Sequence, residues 1–187
     1  GTTVGYKRLI RFSDCTPECI RVTIRSCRGT ANIANAGLFY AKPIADNSEK
    51  LKLSDVDVKE WKIANGNNAM QSAIDGDIKT VYRGEGLQAL TVDMGKDVSV
   101  KGFCYAPAAD GNLKGTIYQY EFYVSNDGNN WTKCEASNEF SNIMHNPIPY
   151  FVRFGKAYNA RYFKLVPTAE INGQQCTSIG EVGILTK

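Results

Sequence analysis

The chain has 187 residues, a formal net charge of +3 and 43% hydrophobic residues, which is the composition of an ordinary globular protein of one to two domains. A disordered chain would be less hydrophobic and more highly charged, and a membrane-spanning helix would need about 18 consecutive apolar residues. A charge of +3 over this length makes no phosphate-binding stripe. We therefore expect neither nucleic acid binding nor membrane insertion.

Short apolar or alternating runs bounded by turn residues recur along the chain. The predicted strands are residues 6–12, 20–24, 36–40, 61–64, 89–94, 98–105, 117–125, 150–154, 161–166 and 178–185. Residues 68–74 alone predict a short helical turn, and Asp127-Gly128 predicts a tight hairpin turn after which Trp131 folds back on the sheet. Strands at this spacing without long helices predict an all-β sandwich or barrel.

The pattern of the last three strands occurs twice. Residues 11–12, 19–22 and 35–39 near the start resemble residues 153–154, 162–165 and 180–184 near the end, although two unrelated β-rich stretches would also explain this. We therefore expect residues 1–42 to be the C-terminal strands of a truncated upstream β-domain, residues 43–53 a polar linker, and residues 54–187 one domain. Unpaired strands in residues 1–42 are expected to add to the sandwich or to pair between two copies as a homodimer.

Residues 73–80 (AIDGDIKT) place oxygen donors on a glycine-containing turn. The carboxylates of Asp75 and Asp77 and the hydroxyl of Thr80 are hard ligands of the kind that Ca²⁺ takes, and Glu181 is a candidate for a further ligand. The alternative is an Asx turn whose carboxylates cap the backbone without a metal. Local chemistry leaves both interpretations open.

A series of motifs resembles the coagulation-factor type C, or discoidin-like, domain. In chain order they are residues 68–82 (NAMQSAIDGDIKTVY), 90–95 (LTVDMG), 102–107 (GFCYAP), 120–131 (YEFYVSNDGNNW), 160–165 (ARYFKL) and 180–182 (GEV). Within that superfamily the chain is most similar to carbohydrate-binding modules of family 32, over about residues 50 to 187. The resemblance implies a galactose-binding-domain-like β-sandwich jelly roll that holds a sugar in loops at one end.

The resemblance also implies a structural calcium ion that ties the early turn to the last strand. Its implied ligands are the carboxylates of Asp75 and Glu181, the hydroxyl and carbonyl of Thr80, and the carbonyls of Ser72, Asp77 and Gly180.

The implied sugar site departs from the family pattern. Galactose-binding members often show Thr-x-Trp-His and then Pro-Arg and Asn-Gly, where this chain has Arg83, Ala108 and Lys114. Arg83, Asn112 and Lys114 are the predicted sugar-binding residues, and two cations would favour an acidic or sulfated glycan. The alternative is that they are solvated surface charges.

Other side chains that could bind or react are assigned as follows. Tyr82 and Trp131 are predicted to pack, whereas Trp61 and Tyr118 could either pack or stack on a sugar. The single histidine, His145, lies in a loop-like stretch, and we predict no catalytic residue. Six cysteines, three on each side of the linker, favour free thiols or at most one disulfide per segment.

The first segment resembles a second family. Residues 5–12 (GYKRLIRF), 20–24 (IRVTI) and 34–39 (ANAGLF) are similar to the end of the β-sandwich that follows the catalytic barrel in family 29 α-L-fucosidases. We therefore expect a non-catalytic module that targets a bacterial glycoside hydrolase to a glycan or terminal sugar and contacts its catalytic domain. The expected location is periplasmic, cell-surface or extracellular. The alternatives are a protein-interaction or structural sandwich with a degenerate sugar site, and direct enzymatic activity.

Overall fold

The computed structural model describes residues 15–25, 29–30, 32–33, 36–38 and 52–187, and the chain divides into two compact units, residues 1–49 and 50–187. The predicted strand at residues 6–12 and most of the linker lie outside the described residues. Residues 20–24 are described and form no strand, and Ile20, Val22 and Ile24 are exposed, so that strand prediction is wrong. Apolar alternation becomes a strand only where a neighbouring strand pairs with it. The assignment of residues 1–42 to an upstream domain stays a prediction.

The second unit is all-β, as predicted. Its elements are β1 (Lys62–Ile63), a 3₁₀ helix (Asn68–Ala73), β2 (Tyr82–Glu85), β3 (Leu90–Ala106), β4 (Ile117–Ser125), β5 (Thr132–Lys133), β6 (Tyr150–Glu170), β7 (Cys176–Ile179) and β8 (Glu181–Leu185). Among the described residues, no helix is long and apolar enough to span a membrane.

Two pairs of predicted strands are fused. Residues 89–94 and 98–105 form the single strand β3, and residues 150–154 and 161–166 belong to the single strand β6. The pairing of β3 with β6 shifts register between Asp93 and Val98 and again between Val100 and Gly102. Gly95 has a φ of 76°, which lets the chain bend inside the strand where the sequence alone indicates a break.

The strands form a sandwich of antiparallel pairs. The larger sheet has the order β1-β3-β6-β4-β5, with β8 pairing to the C-terminal part of β3, and β2 pairs with β7 in a two-stranded sheet. The sheets meet in the sandwich of a jelly roll, so the predicted fold is confirmed.

Alternation along the strands places aromatic rings in the core. Phe103 stacks on Phe122 at 4.2 Å between ring centroids, and Phe122 stacks on Phe163 at 5.7 Å. Trp61 is 2% exposed and meets Phe163 edge-on, so it is a core residue. Tyr82 is also buried, which confirms its predicted packing role.

The first and last residues of the domain lie side by side. The Ser54 hydroxyl donates to the Val56 carbonyl and accepts from the backbone N–H of Ile184, and the Asp55 N–H donates to the Ile184 carbonyl at 2.7 Å. The Asp55 carboxylate also accepts from the N–H of Thr186 at 2.9 Å. These hydrogen bonds fasten the segment that precedes β1 along β8.

An ion pair joins β3 and β6 at the register shift. Arg161 donates through Nε and Nη2 to the two carboxylate oxygens of Asp93, each at 2.8 Å. This bidentate contact, assisted by the backbone N–H of Gly95, holds the pKa of Asp93 below its ordinary value.

We expect Asp93→Asn to lower the free energy of unfolding by about 1 kcal/mol at pH 7. Because the pKa of Asp93 is lower in the folded state than in the unfolded chain, its contribution is complete above about pH 4 and is lost as the pH falls through the folded-state value. Urea unfolding of both proteins at pH 7 and pH 3 measures this difference. A wild-type advantage of the same size at both pH values would contradict the assignment, and Arg161→Gln should remove most of the effect of Asp93→Asn.

Candidate functional site

Several loops of the second unit converge around the β7–β8 corner. The N–H of Gly180 donates to the Ala106 carbonyl at the end of β3, and Thr116 forms a β-bridge with Ser178. The buried hydroxyl of Tyr105 donates to the Ser178 carbonyl at 2.9 Å and accepts from the N–H of Ile117 at 3.0 Å. The ends of β3, β4 and β7 are thereby fixed to one another.

Four oxygen atoms crowd the hydroxyl of Thr80. The carbonyl oxygens of Ser72 and Asp77 lie 3.0 and 2.8 Å from Thr80 Oγ1, and the two carboxylate oxygens of Asp75 lie 3.0 and 2.8 Å from it. A hydroxyl carries one proton and donates it to one acceptor at a time. The backbone N–H groups of Asp77 and Thr80 also donate to this oxygen cluster, to Asp75 Oδ1 at 2.8 Å and to the Asp77 carbonyl at 3.0 Å, but the one hydroxyl proton cannot serve all four oxygens at once.

Glu181 closes the oxygen cluster from the other side. Its side chain is buried at the start of β8, where Oε2 accepts from the N–H of Gly76 at 3.0 Å and Oε1 has no hydrogen-bond partner among the described residues. Burial, and then the negative charge of Asp75, raise the pKa of Glu181 to about 8. A buried carboxylate without its full set of donors is costly unless a cation or a proton neutralises it.

Gly180 keeps the corner tight enough to place Glu181. A Cβ atom at this position would lie 2.7 Å from the carbonyl oxygen of Pro107 and 3.1 Å from that of Ala106. Only glycine allows the β7–β8 corner to approach the end of β3 this closely.

The donor set of the oxygen cluster fits a hard cation. The structure brings together the predicted side-chain ligands Asp75, Thr80 and Glu181 and the carbonyls of Ser72 and Asp77, with Gly180 adjacent in the chain. Ca²⁺ takes six to eight oxygen ligands of this type. Within the described ranges, no group of three or more His, Cys, Asp and Glu side chains could hold a metal. A metal held here would thus depend on carbonyl and hydroxyl ligands beside two carboxylates, which suits Ca²⁺ better than zinc.

The predicted sugar-binding residues form a second polar group, between β2 and the loop that follows β3. Arg83 of β2 donates through Nη2 to both carboxylate oxygens of Asp110, at 2.8 and 2.9 Å, and to the carbonyl of Asn112 at 3.0 Å. Its Nη1 lies 3.5 Å from the hydroxyl of Ser178. Asn112 also accepts, through Oδ1, from the backbone N–H of Lys114. Arg83, Asp110, Asn112 and Lys114 are called the loop cluster below.

Asp110 belongs to the loop cluster but is not among the residues predicted from the sequence. The Asp110-Gly111 pair could have indicated a tight turn at this position, in which Asp110 accepts from the N–H of Asn112. Asp110 balances the charge of Arg83. Of the two predicted cations, Arg83 therefore has an acidic partner, whereas Lys114 has none among the described residues.

Tyr118, His145 and the cysteines were the other residues considered for binding or reactivity. Tyr118 is 36% exposed and donates to Glu139 at 3.3 Å, and His145 is exposed on the loop before β6. The five described cysteines are free, and burial raises the pKa of Cys104 and of Cys134 to about 12.

The family model of the F5/8 type C domain matches residues 54–182. The chain belongs to this family. Its resemblance to discoidin-like domains is thereby confirmed, and its structural neighbours include family 32 carbohydrate-binding modules.

Two of those neighbours are from Clostridium perfringens. The CBM32-5 module, solved in complex with GalNAc-β-1,3-galactose, is 27% identical, with 62% of this chain and 81% of that chain covered and a TM-score of 0.53. The family 32 module of NanJ, solved in complex with galactose, is 26% identical, with 66% and 89% covered and a TM-score of 0.52.

A curated relative is galactose oxidase from Gibberella zeae, which is 31% identical over 137 residues. The match covers 65% of this chain, which spans only 18% of the length of that relative.

We expect Gly180→Ala to lower the free energy of unfolding by about 1 to 3 kcal/mol, because the added methyl group pushes the β7–β8 corner away from Pro107. Gly155→Ala is the matched control, since a Cβ there meets nothing within 4 Å. Urea unfolding of the three proteins measures the effect, and equal midpoints for the two variants would refute this role of Gly180.

Proposed function

We propose that residues 54–187 form a non-catalytic carbohydrate-binding module whose loop cluster binds a terminal sugar. The observation that carries the proposal is the fixed Arg83–Asp110 pair, exposed beside Asn112 at the end of a family 32-like sandwich. The two Clostridium perfringens relatives that are named as complexes with galactose and with GalNAc-β-1,3-galactose support a galactose-type ligand.

The chemistry of the loop cluster suits sugar hydroxyls. The guanidinium of Arg83 is held through Nη2 by the Asp110 carboxylate and the Asn112 carbonyl, so it keeps its orientation and little side-chain entropy is lost on binding. Asp110 can accept from ligand hydroxyls, and the Asn112 amide and the Lys114 ammonium can donate to them. Because Arg83 is neutralised by Asp110, a neutral sugar fits the cluster better than a multiply sulfated one.

Binding of one sugar to so open a site is weak, with a Kd on the order of millimolar to micromolar. Several modules or several sugars on one surface would raise the overall affinity.

Calcium is part of the proposal. The ion would be held by the oxygen cluster of Ser72, Asp75, Asp77, Thr80 and Glu181, with the carbonyl of Gly180 as a further ligand. It would neutralise the two carboxylates and tie the turn at residues 74–80 to β8. Because such an ion binds only the folded domain, its effect would be on stability.

The parent protein is proposed to be a bacterial glycoside hydrolase located in the periplasm, at the cell surface or outside the cell. The resemblance of residues 5–39 to the domain that follows the barrel of α-L-fucosidases supports a fucosidase-like parent. The module would then hold its catalytic domain near glycans.

A second candidate function is protein interaction. Ala108 is buried and offers no donor where galactose-binding relatives often carry arginine, and Arg83 already has a protein partner in Asp110. These two observations favour a sandwich that contacts a protein, including the parent catalytic domain, through a degenerate sugar site.

We expect Ca²⁺ at about one hundred times its Kd to raise the free energy of unfolding by about 2.7 kcal/mol. Glu181→Gln should lose most of this increase. In EDTA it should be at least as stable as the wild type, because it removes a buried acid beside Asp75. Thermal unfolding with Ca²⁺ and with EDTA measures both effects.

The matched control for that experiment is Glu135→Gln, since the side chain of Glu135 is 83% exposed. It should respond to Ca²⁺ like the wild type. A Glu181→Gln protein with an unaltered calcium response would rule out the proposed ligand set.

On a glycan array with Ca²⁺ present, we expect the chain to bind glycans with terminal galactose-type sugars. Arg83→Ala and Asp110→Ala should each weaken binding by about tenfold or more, because each leaves a charged partner without its counterion. Lys101→Ala, an exposed lysine on β3, is the control and should bind normally. A folded protein that binds no glycan would shift the assignment to the interaction module.

A further inference from the structure

A groove lies on the outer face of the large sheet, away from the loop cluster. In β6, Phe163 points into the core, so Tyr162 and Lys164 lie on the opposite face, and their β3 partners Asp93 and Thr91 share that face. The turn after β4 brings Trp131 over the same face, where Lys164 Nζ lies 3.9 Å from the centre of the indole ring.

The groove has the size of a small-ligand site. Its volume is about 400 Å³, and Lys62 and Ala64 line it from the β1 side, Thr91 and Tyr162 from below, and Asn129 and Trp131 from the turn. Binding sites for small ligands have volumes of about 300 to 1,000 Å³. The groove is therefore large enough for a single sugar ring.

The turn that forms one wall of the groove is held in place by hydrogen bonds and by packing on Tyr162. Asp127 anchors the turn by accepting from the N–H groups of Asn129 and Asn130, at 2.9 and 2.8 Å. The ring of Tyr162 lies against Gly128, where a Cβ would be 3.5 Å from it. An aromatic site that is fixed in this way loses little entropy when a ligand binds.

Four polar groups of the groove walls have no hydrogen-bond partner within the part of the chain that the structure describes. They are the Lys62 ammonium, the Thr91 hydroxyl, the Asn129 side-chain carbonyl and the Trp131 indole N–H. Together they offer both donors and acceptors beside an aromatic ring, which is the combination that recognises a pyranose with its hydroxyl groups and apolar ring face.

The carboxylates at the groove are satisfied within the protein, whereas the ammonium groups of Lys62 and Lys164 have no acidic partner in the part of the chain that the structure describes. Arg161 neutralises Asp93, and the carboxylate of Asp127 is occupied by its own turn. Lys164 covers one face of the Trp131 indole, so a ligand would meet the other face or the N–H edge.

We infer that this groove is a second carbohydrate-binding site, which takes a sugar ring against Trp131 with hydrogen bonds to Asn129, Thr91 and Lys62. The inference rests on the proposed carbohydrate-binding function and extends it to a separate surface. The groove lies beside Asp93 near the start of β3, and the loop that carries Asp110 follows Ala106 at the end of β3, so the two sites use different residues. One module would then hold two sugars or two glycan chains.

The test is a two-dimensional ¹H–¹⁵N NMR titration of the full chain with Ca²⁺ present. The probes are the methyl glycosides of galactose, N-acetylgalactosamine, N-acetylglucosamine, mannose and fucose. The two tryptophans give two indole N–H signals, of which Trp61 is buried in the core and Trp131 lines the groove. We expect at least one glycoside to shift the Trp131 signal saturably, with a Kd on the order of millimolar, while the Trp61 signal stays in place.

Variants separate the groove from the loop cluster. Asn129→Ala and Lys62→Ala should each weaken the Trp131 response by about fivefold, since each loses one hydrogen bond to the ligand. Lys101→Ala is the matched control for Lys62→Ala. Arg83→Ala should leave the Trp131 response unchanged, and Trp131→Phe, which keeps an aromatic ring, identifies the indole signal and should weaken the shifts of Gly128 and Asn129.

Each outcome bears on one proposal or on both. Shifts confined to residues 83 and 110–114 would overturn the groove site and leave the proposed function standing. A Trp131 shift that does not saturate, or that Asn129→Ala and Lys62→Ala leave unaltered, would also overturn the groove site. A folded chain in which neither surface responds would overturn both proposals.

Discussion

The antiparallel pairing of β3 with β6 is the constraint on which the rest of the domain depends. Both strands are long enough to pass from one sheet partner to the next, so β3 pairs with β1 near its start and with β8 near its end. The register shifts after Asp93 and Val100 let this pair bend without losing its ladder. The groove therefore lies beside the first part of β3, and the loop that carries Asp110 follows its last residue.

The carboxylate of Glu181 is buried at the first residue of the last strand, β8. Glu181 follows a corner that only glycine permits, and it faces the carboxylate of Asp75 across the oxygen cluster. Removing one such acid relieves repulsion, whereas adding a cation satisfies both acids and their neighbouring carbonyls. Among the described residues, no basic side chain forms an ion pair with the carboxylates of the oxygen cluster. In the loop cluster, by contrast, Arg83 forms an ion pair with Asp110.

Features fixed by nearby residues could be predicted from the sequence. The bounds of β4 and the turn at Asp127 follow from apolar alternation and Asp-Gly chemistry. The grouping of the oxygen cluster followed from its resemblance to a family, since Asp75 and Glu181 are 106 positions apart and no local pattern relates them. Contacts between distant residues could not be predicted in this way. Whether Trp61 packs or binds a sugar is decided by its contact with Phe163 of β6. Asp110 is the partner of Arg83 only because the loop after β3 folds over β2.

The hydrogen bonds of Ser54 and Asp55 to Ile184 and Thr186 hold the first and last residues of this domain next to each other. A domain with adjoining ends behaves as a cassette, because it can be joined to or placed within a longer polypeptide without forcing the flanking parts to separate.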